Sequence, residues 1–361
     1  MQQETAHPQD IGPARPFGWG IVGTGVIARQ FAADLRHVPG ARIGAVCSRS
    51  EKAAQDFMAA TGAAGFHSTL AALLADRDID AVYLATPNML HASQALETLR
   101  AGKPVLVEKP LATSSGDAAR IADLAGTSRC FAMEALWTRF LPAVRAVRDM
   151  LAAGAIGEIT RIEAELSYRK QETQGDRFFD PAQGGGSALD LGVYPLSLAV
   201  HLLGIPEKFS GRWWATGSGV DRRCRFELSF AGATAELSCG FDHDGSNIFA
   251  IFGDRGAIRI EAPFLKAQRI TLFERGMSGL PFIGARGPTS GLAGKLLSRL
   301  PLPGRKASHF RFPGNGLQFE AVAVMEAVRA GAAQSSVMPL RESIAVLEVI
   351  ETVLGQPAER D

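Results

Sequence analysis

Gly18-Trp19-Gly20-Ile21-Val22-Gly23-Thr24-Gly25-Val26-Ile27-Ala28 decides the fold of the first half of this chain. An apolar run meets two glycines, and Phe31, Leu35 and Val38 follow at near-helical spacing, so the stretch reads as strand, tight turn, helix. A pyrophosphate needs backbone N–H groups at a helix N-terminus, and glycines let the main chain turn and approach it without a Cβ in the way. Gly23 and Gly25 supply that freedom, Thr24, Val26 and Ile27 complete the loop, and Ala28 takes the third small position. An ordinary tight turn is the competing reading; the strand–turn–helix context favours a dinucleotide site.

Moving outward, the strand 42–47 ends about twenty residues after the turn, where an NAD-selective site places an acid for the ribose 2′-hydroxyl. Ser48 and Arg49 stand there instead, and a guanidinium fits a 2′-phosphate, so NADP is expected, with NAD still possible. Helices near 50–60 and 68–75 precede the strand 80–85, which empties into Thr86-Pro87-Asn88 with His91 opening the next helix. These residues are expected along the nicotinamide half of the cofactor. The apolar run 104–107 then stops at Glu108-Lys109-Pro110, placing Glu108 and Lys109 at the carboxyl end of a strand, where open α/β sheets bind ligands. A helix at 114–126 leads to a last strand, after which Trp137 and Arg139 are candidates for a substrate-pocket wall. The repeated β–α order predicts a doubly wound parallel sheet of Rossmann type.

Beyond about residue 155 the pattern changes. Ile162, Ala164, Leu166 and Tyr168 alternate with charged and polar residues, as do Cys224, Phe226, Leu228 and Phe230, and later runs at 233–241, 247–253, 257–261 and 269–273 continue the theme. Short turns between them indicate a mostly antiparallel open sheet in an α+β domain. Between the first two strands lies Gly184-Gly185-Gly186-Ser187-Ala188-Leu189-Asp190-Leu191-Gly192-Val193-Tyr194-Pro195. Asp190 and Tyr194, four apart, share a helix face, and Pro195 is expected to interrupt the helix just after Tyr194. Tyr168 is counted with Trp137, Arg139 and Tyr194 as a substrate residue. The closing stretches 316–330 and 340–354 are amphipathic helices expected to pack back as core.

With 361 residues the chain is expected to hold two domains, at 18–140 and 141–361, after a flexible tail at 1–17. Lys+Arg 38 against Asp+Glu 37 gives a net charge of +1, which favours neither nucleic acid nor an acidic surface and points to a small-molecule partner. Cys47, Cys130, Cys224 and Cys239 lie far apart with no metal spacing, suiting reduced thiols in the cytoplasm. No stretch reads as a signal peptide, and none is expected to approach membrane-span length.

In this order and at these separations the glycine turn, Thr86-Pro87-Asn88 with His91, Glu108-Lys109-Pro110 and the 184–194 segment together resemble the glucose–fructose oxidoreductase / inositol dehydrogenase (Gfo/Idh/MocA) family. The stretches 134–142 and 316–321 are similar to the subgroup containing dimeric dihydrodiol dehydrogenase and NADP-linked D-xylose 1-dehydrogenase. The resemblance implies a two-domain enzyme that dimerises through its open sheet. It implies that Lys109 is the active-site lysine before a cis proline, that Asp190 is the motif carboxylate, that Tyr194 stands where many members have histidine, and that His91 and Trp137 line the pocket. The acid-free segment 275–319 departs from the subgroup and is read as a solvated insertion, with a short helix possible at 291–300.

Hydride transfer from a carbinol needs a base at the hydroxyl, and Lys109 and Tyr194 are the candidates. Both ordinarily titrate near pH 10, so at least one is expected to be lowered. In the favoured assignment Tyr194 exchanges the proton, Lys109 holds the oxygen and tunes the phenol, and Asp190 orients both; the reverse assignment of base stays open. The substrate class is a ring carbinol: a sugar, a cyclic polyol or a trans-dihydrodiol. A cofactor-binding regulator without turnover and a redox-assisted glycosidase are the rival readings.

Overall fold

The computed structural model describes residues 15–173, 175–274 and 304–360. The first fourteen residues of the expected tail, and most of the acid-free segment with its proposed short helix, lie outside the described residues. Phe17, assigned to the tail, instead opens the first strand, because its ring is buried against Trp19 at 5.5 Å between centroids.

The first half alternates as its sequence implies. It runs β1 (Phe17–Val22), α1 (Val26–Leu35), β2 (Ala41–Cys47), α2 (Glu51–Thr61), β3 (Gly65–His67), α3 (Leu70–Ala75), β4 (Ala81–Leu84), α4 (His91–Arg100), β5 (Val105–Glu108), α5 (Ser115–Ser128) and β6 (Ala132–Ala135). The six strands are parallel in the order β3-β2-β1-β4-β5-β6, so the chain reverses direction across the sheet between β1 and β4. That reversal opens a crevice at the carboxyl ends of β1 and β4, where the glycine turn and Thr86 lie. Trp19, Phe31 and Tyr83 pack together, fully buried, with Phe31 edge-on to Trp19 and stacked on Tyr83 at 3.9 Å between centroids.

After α6 (Pro142–Ala152) comes β7 (Ile159–Ser167), then α7 (Val193–Leu203), then β8 (Lys208–Ala215), β9 (Asp221–Phe230), β10 (Ala233–Gly240), β11 (Phe249–Gly253), β12 (Ala257–Ile260), β13 (Arg269–Phe273) and β14 (Arg305–His309). These eight strands form one sheet, β14-β13-β12-β11-β7-β10-β9-β8, antiparallel throughout except between β7 and β10. The inward residues of β9 are those picked out by alternation, Cys224, Phe226, Leu228 and Phe230, all buried. Strands β3, β8 and β14 were not among the expected runs, although in β8 exposed Lys208, Ser210 and Arg212 alternate with half-buried Phe209, Gly211 and Trp213.

Helix α7 covers one face of this sheet. Together with the turns before it, the helical stretch Pro181–Leu203 is 23 residues long and apolar enough to cross a membrane, contrary to the expectation of no such stretch. Its most apolar window is 78% buried inside the protein, which makes it the core helix of the second sheet. The two closing helices pack back as expected. Gln318–Arg329 lies on α1, and Leu340–Leu354 lies on α5, α7 and β8, with Glu351 accepting the Ser115 N–H at 2.9 Å.

Candidate active site

The glycine turn places donors at the start of α1. Gly23 has φ +109°, and a Cβ there would stand 2.5 Å from the Ala85 carbonyl oxygen, so only glycine fits between β1 and β4. Among the described residues a Cβ on Gly25 would meet nothing within 4 Å, and no side chain caps α1. The uncapped N–H groups, beside open space and an exposed Val26, fit a nucleotide pyrophosphate. Ser48, whose Oγ accepts the Ser50 N–H at 3.2 Å, and exposed Arg49 follow the end of β2. A guanidinium there suits a 2′-phosphate.

Thr86, Pro87 and Asn88 form the turn after β4, and Asn88 Nδ2 donates to the Gly184 carbonyl at 3.1 Å, tying this turn to the glycine-rich loop of the second half. His91 does not line the crevice. Its ring is fully buried between the two turns, with Nδ1 2.7 Å from the Pro110 carbonyl and Nε2 2.9 Å from that of Thr86, and the nitrogen that carries the hydrogen donates to one of them. The Glu108 carboxylate also points inward, accepting from the Tyr83 hydroxyl and, at 3.1 Å, from the Lys109 N–H. Burial pushes Glu108 up to about 7, although Tyr83 and Lys109 pull the other way.

Lys109 follows β5, with a cis bond to Pro110. Its Nζ donates to Asp190 Oδ1 at 2.8 Å and to the Asp190 carbonyl at 2.5 Å. The second bond explains a departure from expectation. The helix is irregular before Tyr194, as a π-turn over Ala188–Gly192, and α7 then runs through Pro195. A proline in the first turn of a helix loses no bond, but it has no N–H with which to continue the π-turn ladder onto Asp190. The Asp190 carbonyl accepts from Lys109 instead. Asp221 of β9 anchors the start of this turn, accepting from Ser187 Oγ and the Ala188 N–H, both at 2.7 Å.

Tyr194 completes the group. Its ring lies 5.1 Å from Lys109 Nζ, and its hydroxyl accepts the Trp137 Nε1–H at 3.2 Å. Neither candidate base is lowered in this structure. For Lys109, burial acts downward, yet the Asp190 carboxylate outweighs it and holds the ammonium above the ordinary lysine range. For Tyr194, burial raises the phenol to about 12 despite the opposing pull of Lys109. Asp190 resists its own burial because of its lysine partners and stays well below the ordinary carboxylate range.

Two expected substrate residues are placed elsewhere. Arg139 is fully buried as a structural tie, donating to Ser197 Oγ at 2.8 Å, to the Ser197 and Val337 carbonyls at 2.7 and 3.1 Å, and to Glu342 at 2.5 Å. Tyr168 is half-buried beyond the end of β7, with its N–H on the Gly240 carbonyl, and is not joined to the Lys109–Asp190–Tyr194 group by any described bond. A residue missed in the sequence reaches the group instead: Lys170 Nζ donates to Asp190 Oδ2 at 2.8 Å. It continues the inward series 162, 164, 166, 168, so its register carried the signal. Among the described residues no cluster of three His, Cys, Asp or Glu side chains could hold a metal.

A phosphate-receptive turn, a fixed ammonium and a buried phenol at the carboxyl edge of a parallel sheet define a nicotinamide-nucleotide oxidoreductase. Residues 17–135 match the oxidoreductase family with an NAD-binding Rossmann fold (GFO_IDH_MocA), and residues 144–259 match the GFO/IDH/MocA C-terminal domain. The chain is 30% identical to trans-1,2-dihydrobenzene-1,2-diol dehydrogenase of Bos taurus, covering 93% of this chain and 95% of that one. It is 29% identical to D-xylose 1-dehydrogenase (NADP(+)) of Hypocrea jecorina, covering 94% and 91%. A 3-ketoreductase from Actinomadura kijaniata, solved with NADP and TDP-benzene, superposes with a TM-score of 0.77 at 26% identity, covering 94% and 97%. This chain belongs to the Gfo/Idh/MocA family of oxidoreductases.

Proposed function

We propose that this protein is an NADP-dependent dehydrogenase or ketoreductase of ring carbinols, with Tyr194 as the proton-exchanging group. The observation that carries the assignment is the bond from Trp137 Nε1–H to the Tyr194 hydroxyl. An oxygen that accepts there keeps its own hydrogen to donate to a substrate carbonyl. Lys109, held as an ammonium by two bonds to Asp190, has one N–H left for the same substrate oxygen. In oxidation the Tyr194 phenolate, stabilised by the neighbouring ammonium, takes the hydroxyl proton back and becomes the phenol again. Bound NADP supplies the hydride acceptor or donor; Gly23, Thr24, Gly25, Val26, Ile27, Ser48 and Arg49 would hold it.

The named relatives act on a trans-dihydrodiol and on D-xylose, which supports a cyclic diol, a pyranose or a related keto sugar as substrate. The free, buried cysteines suit a cytoplasmic setting. The uncovered face of the second sheet is concave, about 750 Å³, and carries Glu163, Glu165, Arg212, Arg225, Glu227 and Glu236. Such mixed charge can complement a second copy related by a two-fold axis, which supports a dimer. The test is nicotinamide absorbance with trans-dihydrodiols, aldoses and inositols, each with NADP and with NAD. Turnover of a ring substrate with NADP is expected. Tight NADP binding with no turnover across the panel and in the reverse direction would overturn the catalytic reading.

A further inference from the structure

Lys170 stands beyond the end of β7, in a loop joined to β10 by the bond from its own N–H to the Phe241 carbonyl at 2.8 Å. Its side chain enters the same group as Lys109. The two ammoniums divide one carboxylate, Lys109 on Oδ1 and Lys170 on Oδ2, each at 2.8 Å. Both Asp190 oxygens are therefore occupied, and a single bond of the carboxylate could not fix its rotation. The Lys170 ammonium rests 3.1 Å from the centroid of Phe178 and 4.5 Å from that of Phe241, while 23% of the side chain stays exposed. Aromatic faces hold the charge in place without competing for its remaining N–H groups. The charged groups acting on it are Asp190, Lys109 and Arg177, whose guanidinium lies 4.2 Å from the centroid of the same Phe178 ring.

We propose that Lys170 is a second active-site lysine, a positioning residue that holds Asp190 Oδ2 so that Oδ1 and the Asp190 carbonyl aim Lys109 at the substrate oxygen. The inference rests on the functional reading above. It assigns the aim of Lys109 to a residue on the second sheet, so the two halves of the chain jointly orient one ammonium. Burial, the largest influence on Lys170, acts downward, Asp190 opposes it, and Lys109 and Arg177 add to the fall, leaving it lowered while Lys109 is raised.

The test compares Lys170→Met and Lys170→Arg with the unchanged protein. Misplacing a reacting group by about an ångström costs up to roughly a hundredfold in rate, so Lys170→Met is expected to lower kcat roughly ten- to hundredfold, and Lys170→Arg to restore most of it. Loss of the hold on Asp190 also loosens Lys109, whose charge pulls the Tyr194 phenol down, and so moves the oxidation pH profile to higher pH, which a purely structural defect would not do. Carboxyl NMR of labelled aspartate gives a readout independent of turnover: Asp190 is expected to protonate at higher pH in Lys170→Met. If wild type turns nothing over, the functional reading fails, while the carboxyl titration still decides whether Lys170 governs Asp190. An unchanged Asp190 titration, or a pH profile that keeps its position in Lys170→Met, overturns the proposal.

Discussion

Replacing Tyr194 with Phe removes one oxygen and tests the assignment of the proton-transfer group. Two consequences follow from the structure and differ in size. The first is chemical: with no proton to exchange, kcat in both directions is expected to fall roughly a hundred- to ten-thousandfold. The second is structural: Trp137 Nε1–H, buried and 3.2 Å from the hydroxyl, loses its acceptor, at a cost of about 1–3 kcal/mol in stability. Trp137→Phe separates the two, since it removes the donor and leaves the phenol in place, and it is expected to keep most of the turnover. The pH dependence adds a third check. Because burial raises the phenol to about 12, oxidation should rise about tenfold per pH unit through the neutral range, whereas reduction, which uses the phenol as acid, should stay flat. Stopped-flow measurement of the hydride step in both directions gives these profiles free of product release. Turnover of Tyr194→Phe within about threefold of wild type, measured on that step, would refute the assignment.

Arg49→Glu is expected to lower kcat/KM with NADP roughly ten- to hundredfold, the equivalent of one or two charge-assisted hydrogen bonds, while NAD kinetics change little; an equal loss with both cofactors would remove Arg49 from the 2′-phosphate site. Asp34→Asn places an amide hydrogen against the Asn315, Gly316 and Leu317 N–H groups, which the carboxylate now accepts at 2.9–3.0 Å, and should cost about 1–3 kcal/mol by urea unfolding. Glu320 is fully buried, with no hydrogen-bond partner for either oxygen among the described residues, and burial first, then Glu108, Asp34 and Glu134, push its carboxyl far up. The folded protein therefore binds a proton that the unfolded chain has released, and stability is lost as pH rises above the ordinary carboxyl range. Glu320→Met should then raise Tm at about pH 8 and change it little at about pH 4; the opposite ordering would show that Glu320 is charged in the fold.

The parts of this protein legible in its sequence are those set by local periodicity or by backbone necessity. Gly23 is readable because no side chain fits between β1 and the Ala85 carbonyl, and the inward stripe of β9 because a strand presents every second residue. Lys109 was readable because an apolar strand that stops at a charge marks a sheet edge. Lys170 sat in an equally readable register, but a lysine past a strand end looks like solvated surface until Asp190, twenty positions on, is seen to need it. His91 and Arg139 were misread for a related reason. A polar residue near a crevice in sequence can spend its donors on the main chain behind it, and the competing partners, Pro110 and Val337, are too far along the chain for any local pattern to reveal.

These distant ties share a consequence for the site. Asp34 caps the approach to Gln318–Arg329 from α1, Arg139 joins the last parallel strand to α7 and the final helix, and Asp221 anchors the turn that bears Asp190. Each is a buried polar group that is satisfied only when segments far apart in the chain dock correctly, so mispacking either sheet leaves a charge or a donor unpaired. Lys109 and Asp190 belong to different halves and must meet within hydrogen-bond distance. Apolar packing alone tolerates shifts that would break such a contact, whereas these directional anchors do not. The geometry of the proton-transfer group is thus inherited in part from polar contacts remote from it, and a change at Asp221, which anchors the turn bearing Asp190, should reach kcat through the aim of Lys109.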